Sequence, residues 1–171
     1  ARTPDWTVGV DGAWDTDPDG VMSLRSQWTA SRATLAPDLR VMLPEELRSI
    51  MDQLEVRIDG PFSIEDAGLT LRRGPRDSAT AFSGDLVFAN AAVSVGAELR
   101  GVTGDMKVDF ASDSGGAPAR YRLDIHAESL KVAGASVTGA HAVVHSGASA
   151  GEVLIPLATA DCYGGRVSAR A

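Results

Sequence analysis

The sequence predicts a mainly β fold: an extended, curved antiparallel sheet built as a groove-like meander of hairpins. Three observations predict it. Apolar and polar residues alternate with period two along most of the chain, turn-forming clusters separate the alternating stretches, and a single short segment breaks into helical spacing. At 171 residues, 44% apolar and 23% charged, the chain fits one domain over 1–171 with material enough for a core.

The elements follow in order. Trp6, Val8, Val10 and Trp14 share one face of a first strand, and "DTDPDG" (15–20) turns the chain into a second with Met22, Leu24 and Trp28 on one face. In "LPEELRSIMDQL" (43–54), Pro44 suits a first helical turn, and Glu45 and Glu46 favour the positive end of the helix dipole. Leu43, Leu47, Ile50, Met51 and Leu54 follow helical spacing, so one short helix is expected over about residues 44–54. Val56 and Ile58, then Phe62 and Ile64, resume the strand pattern. After "RRGPRDS" (72–78), Met106, Val108 and Phe110 alternate, and beyond "SDSGGAP" (112–118) the run "ARYRLDIHA" puts Tyr121, Leu123, Ile125 and Ala127 on one face. "SGASAG" (146–151) leads to Val153, Ile155 and Leu157, again read as one face.

An internal repeat is present. "NAAVSVGAELRG" (90–101) and "ESLKVAGASVTG" (128–139) superpose at an offset of 38, and "DAGLTL" (66–71) resembles "NAAVSV" (90–95) at an offset of 24. Each copy reads as a strand, a kink at a small residue and a returning strand, the mark of a quasi-one-dimensional sheet.

Charge and composition exclude some classes of function. A net charge of −7, with scattered arginines, gives no positive field for a phosphate backbone, so nucleic acid is not an expected partner. The lone Cys162 cannot form an internal disulfide. The opening "ARTPDW" has no signal-peptide pattern, and the chain is read as a piece of a longer protein.

The motifs that carry chemistry elsewhere lack their partners here, and neither a catalytic residue nor a cofactor is expected. Asp15, Asp17 and Asp19 with Gly20 match the start of a calcium loop. The twelfth position is Ser26 and the flanks are strands, so a hairpin turn explains them more simply and calcium is a weak candidate. Ser149 in "GASAG" and Ser114 in "SDSGGAP" resemble hydrolase serines, but the order of His126, His141 and His145 fits neither pattern. His141 and His145, four strand residues apart, stand roughly 13 Å from each other, too far for one metal ion. Cys162 has no neighbouring histidine and no helix to lower its pKa. Gly164 and Gly165 read as a two-residue hairpin turn, with Cys162 at the strand end before it.

The helix is too small to cover the apolar face. About ten strands at about 4.8 Å make a sheet on the order of 48 Å wide, against a helix roughly 18 Å long. Such a sheet either closes as a β-sandwich or barrel, or stays an open trough whose apolar face holds a ligand, and pattern alone leaves both open.

The stretches "LAPDLRVMLPEELRSIMDQLEVRIDGPFSI" (35–64), "GDLVFANAAVSVGAELRGVTGDMKVDF" (84–110) and "ATADCYGGRVSARA" (158–171) resemble the large bacterial AsmA-like envelope proteins, relatives of TamB and the bridge-like lipid-transfer group. The aromatic, two glycines and basic residue at Tyr163, Gly164, Gly165 and Arg166 match a turn of that family, and Leu43 to Leu54 match a short helix between its strand sets. The resemblance implies a non-catalytic periplasmic segment of a repeating β-groove that shelters phospholipid acyl chains for lipid transport between membranes or for outer-membrane assembly. Its partners would be phospholipid, bacterial membranes and the rest of the parent protein. The lipid-facing candidates are Trp6, Val8, Met22, Leu24, Trp28, Leu86, Phe88, Met106, Val108, Phe110, Leu123, Ile125, Val153 and Ile155. The other reading is a structural or adhesive β-sandwich without a lipid site, stiffened by calcium at "DTDPDG".

Overall fold

In the computed structural model, residues 7–33, 48, 51–52, 57–75, 77–94, 98–114, 118–149 and 152–170 are described. The expected helix over 44–54 lies outside them apart from Arg48, Met51 and Asp52, which are helical. Ten strands follow in chain order: β1 (Thr7–Thr16), β2 (Met22–Ala33), β3 (Arg57–Asp59), β4 (Phe62–Arg73), β5 (Ser78–Ser94), β6 (Glu98–Asp113), β7 (Arg120–Val132), β8 (Ala135–Ser146), β9 (Val153–Cys162) and β10 (Gly165–Ala169).

The strands form one antiparallel sheet in the order β1-β2-β4-β5-β6-β7-β8-β9-β10, with β3 paired to β5 beyond the start of β4. β3 and β4 thus occupy one position, interrupted at Gly60, where a Cβ would stand 3.1 Å from the Cα of Ala91. β1 and β10 end the order without pairing to each other, so the sheet is open and not a barrel.

Turn chemistry fixes the hairpins. One carboxylate oxygen of Asp17 accepts the amides of Asp19 and Val21, each at 2.9 Å, and Gly20 supplies a φ of 78°. "DTDPDG" therefore closes the β1–β2 hairpin through its own side chain. The β7–β8 and β9–β10 turns have both central residues at positive φ, Ala133 with Gly134 and Tyr163 with Gly164, as the twist of a two-residue hairpin requires. The central pair of the last turn is thus Tyr163–Gly164 and not the expected Gly164–Gly165. Gly165 already belongs to β10, opposite Cys162 at the end of β9. Arg166 then faces Asp161 and forms a two-pronged ion pair with it, at 3.0 and 3.3 Å, which gives the basic residue after the glycines its physical role.

The repeat is a repeat of bulges. Asp66, Asn90, Gly101 and Gly139 all have left-handed φ, between 49° and 61°, and each sits where two residues of one strand oppose one of a neighbour. Asp66 and Asn90 are the first residues of the two fragments matched at an offset of 24. Gly101 and Gly139 are the last residues of the two matched at 38. A bulge adds one residue and so shifts the alternation by one. Ile64 gives way to Ala67 and Leu69, Phe88 to Ala91 and Val93, Leu99 to Val102, and Val137 to Ala140 and Ala142. The apolar set stays on one face although its parity in the sequence changes.

A bulge also corrects one expectation. Between Val143 and His145 of β8 the partner residues step from Leu157 to Leu154, leaving Ile155 and Pro156 against one residue. Proline has no amide to give to a ladder, so it takes the bulge. Val153 and Leu157 consequently lie on opposite faces, Val153 across from Ser146 and Leu157 across from Val143.

The core lies on the apolar face near the bulges. Phe62, Phe88, Ala91, Val93, Val102 and Ala127 are buried together, and a second cluster holds Phe110, Tyr121 and Leu123. Gly84, opposite the Asp66 bulge, has no room for a side chain: a Cβ would meet the Cβ of Ala67 at 2.6 Å and its Cα at 2.9 Å. Gly84→Ala is expected to lower stability by about 1–3 kcal/mol in urea denaturation through overpacking. Gly134→Ala, with open space around it but a φ of 83°, should cost only about 1 kcal/mol.

Candidate functional sites on the two faces of the sheet

Because directly opposed residues of an antiparallel sheet share a face, the ladder shows what each face presents across the strands. One row crosses all nine positions without a polar residue: Val8, Ala30, Ile64, Leu86, Met106, Ile125, Ala142, Ala158 and Ala169. Shorter rows flank it. Gly84, Val108, Leu123 and Val144 form one, Leu69, Phe82, Phe110 and Tyr121 another, and Phe62, Phe88, Gly104, Ala127 and Ala140 a third. Leu24 stands between Trp14 and Leu71, and Trp28 between Val10 and Ala67.

The lipid-facing candidates thus divide by position. Phe88, Phe110 and Leu123 are buried in the middle of the sheet, Leu86, Met106, Val108 and Ile125 are half-buried beside them, and Leu24 and Trp28 are half-buried on β2. Val8, Met22, Val153 and Ile155 are exposed toward the lateral strands, together with Trp14 at 72% and Val167 at 61%. Trp6 lies outside the described residues. Ala30, Ile64, Ala142 and Ala158 belong to the same row and were missed. Ala30 and Ile64 continue the alternation of Trp28 and Phe62, whereas the bulges at Gly139 and Pro156 hide Ala142 and Ala158 from a fixed alternation.

Polar side chains also sit on the apolar face, among them Thr80, buried across from Leu71. Ser26 is buried and its hydroxyl accepts the indole N–H of Trp28 at 2.7 Å. The Tyr121 hydroxyl is buried without a hydrogen-bond partner, and burial pushes its pKa up. Such a group costs stability, so Tyr121→Phe is expected to raise the unfolding free energy by about 1 kcal/mol.

The opposite face carries the charges. Asp105, Lys107 and Asp109 of β6 stand across from His126, Asp124 and Arg122 of β7. Next come His141, Val143 and His145 of β8, across from the same three residues of β7. A shallow depression of about 460 Å³ opens beside them over Gly68, Ala81 and Ser83. The ladder makes His126 and His141 direct neighbours, their rings stacked with centroids 4.2 Å apart and planes 10° from parallel. His141 Nε2 donates to Asp124 Oδ1 at 2.9 Å, while His126 Nδ1 lies 3.7 Å from the same oxygen and 3.7 Å from Asp105 Oδ2. Arg122 reaches the other oxygen of Asp124 at 3.5 Å. Asp124, His126 and His141 are the group among the described residues whose donor atoms all lie within 4.8 Å of one another, as metal ligation requires.

His145 is turned elsewhere, its Nδ1 on the Ser146 carbonyl at 3.0 Å. Of the serines, Ser114 accepts the Ser78 amide at 2.7 Å through its hydroxyl, and Ser149 gives its amide to the Glu152 carboxylate. Cys162 is half-buried in the ladder between Val137 and Gly165.

The hydrogen bond from His141, and then the charges around it, hold the Asp124 carboxyl below its usual range. A lowered folded-state pKa stabilises the fold above the unfolded value near pH 4, and that contribution is lost as pH falls through the folded value. Asp124→Asn should therefore be less stable than the parent chain at neutral pH, with the gap in thermal unfolding closing on acidification below about pH 4. Compared with protein-family models, with curated proteins and with solved structures, the chain matches none.

Proposed function

We propose that this chain is a non-catalytic segment of an AsmA-like envelope protein, working in the periplasm, and that its apolar face shelters phospholipid acyl chains on their way between membranes. The observation that carries the reading is the uninterrupted apolar row through nine strands of an open sheet. Eight inter-strand steps of about 4.8 Å give that row a length of roughly 38 Å. The hydrocarbon core of a whole bilayer is about 30 Å thick, so the row exceeds the length of the chains of one leaflet. An acyl chain laid across the strands would leave water at about 0.8 kcal/mol per buried methylene, a non-directional gain that needs no reactive group.

One further feature supports it. The edge strands β1 and β10 are exposed along their length and carry Val10, Trp14 and Val167, so each edge is a template for more strands of a repeating sheet.

The experiment is native mass spectrometry with lipid extraction of the chain purified from bacteria. Co-purifying phospholipid that is lost in a Met106→Glu, Ile125→Glu variant, with the strand spectrum retained, is the expected result. A lipid-free chain that also fails to take up phospholipid from vesicles would sink the reading and leave the apolar face to a second sheet, as in an adhesive sandwich.

A further inference from the structure

The polar face carries a separate function. We propose that Asp124, His126 and His141 form a binding site for a late first-row divalent metal ion of the zinc type. Two imidazoles and a carboxylate are the donor set such ions take, with metal–ligand distances of about 2.0–2.2 Å. At that reach the donors of a tetrahedral site stand about 3.4 Å apart. The separations here, 2.9 Å from His141 Nε2 to Asp124 Oδ1 and 3.7 Å from His126 Nδ1 to the same oxygen, bracket that value.

The ligand atoms already lie together: the stack brings His126 Nδ1 and His141 Nε2 beside the same carboxylate oxygen. Ligation then needs the rings to turn out of the parallel stack so that their in-plane lone pairs converge on the ion. Arg122 engages Asp124 by its second oxygen, so it orients the carboxylate without covering the ligating atom, the arrangement that outer groups commonly adopt around a metal. Asp105 stands outside this group on the β6 side, its Oδ2 3.7 Å from His126 Nδ1. His126 and Asp105 are more than half exposed, so an ion reaches the site from solvent without any opening of the sheet. Bound there, it would tie β7 and β8 together, with a carboxylate and an imidazole from β7 and an imidazole from β8.

The test is a titration of the metal-free chain with Zn²⁺, followed by calorimetry and by NMR of the imidazole nitrogens. Uptake of one ion per chain, with shifts at His126 Nδ1 and His141 Nε2 and none at His145, is expected. His126→Ala and Asp124→Asn should each weaken uptake about tenfold or more, while His145→Ala leaves it unchanged. Absence of uptake by the unaltered chain overturns the proposal, as does uptake that shifts His145 instead. The nitrogen shifts are read on the unaltered chain, so the assignment stands or falls even where a variant fails to fold.

Discussion

Successive side chains of a strand point to opposite faces, so a sheet that keeps one face apolar must keep every strand in phase with its neighbours. Everything else in this molecule depends on that phase. Strands of 10 to 17 residues twist as they run, and Asp66, Asn90, Gly101 and Gly139 take left-handed conformations that insert one residue and reset the alternation. Without the resets, Ala91, Val93 and Ala142 would face the charged side, and Asn90 and Gly139 the core. The close approaches follow from the same device. Gly84 and Gly104 lack side chains because the bulged or tightly paired backbone opposite them occupies the space a Cβ would need.

Holding the phase yields two surfaces of different character. On one, dispersion and the hydrophobic effect act along rows that are bulky in the middle, with Ile64, Leu86, Met106 and Ile125, and shrink to Ala142, Ala158 and Ala169 toward β10. On the other, the ladder between β6 and β7 sets acidic beside basic side chains, Asp105 across from His126, Lys107 from Asp124 and Asp109 from Arg122. The charged face thereby stays in water and keeps the apolar face committed to the other side. An open sheet keeps both surfaces along its whole width, whereas closure into a barrel would have hidden one of them.

The sequence by itself determined the class of fold and the identity of most strands, because alternation and turn chemistry are local properties. Tyr121, Leu123, Ile125 and Ala127 could be assigned to one face from spacing alone, and Asp17, Gly20 and Gly164 marked their turns. The repeat could be read as well, through Gly101 and Gly139 at equivalent places. What the residues lacked was the phase across each bulge. Val153 and Leu157 look like one face until Pro156 is seen to force a bulge between them.

Only the tertiary structure decided which histidines meet. His141 and His145 are near in sequence and far apart along an extended strand, whereas His126 and His141 are fifteen residues apart and stack ring on ring. The β7–β8 register runs unshifted from the hairpin at Ala133–Gly134, so once that turn is placed the ladder that pairs Val132 with Ala135 also pairs His126 with His141. The open edges of the sheet belong to the same category. Whether β1 meets β10 depends on the accumulated twist and bend of every strand between them, a quantity that exists only when all the strands are in place.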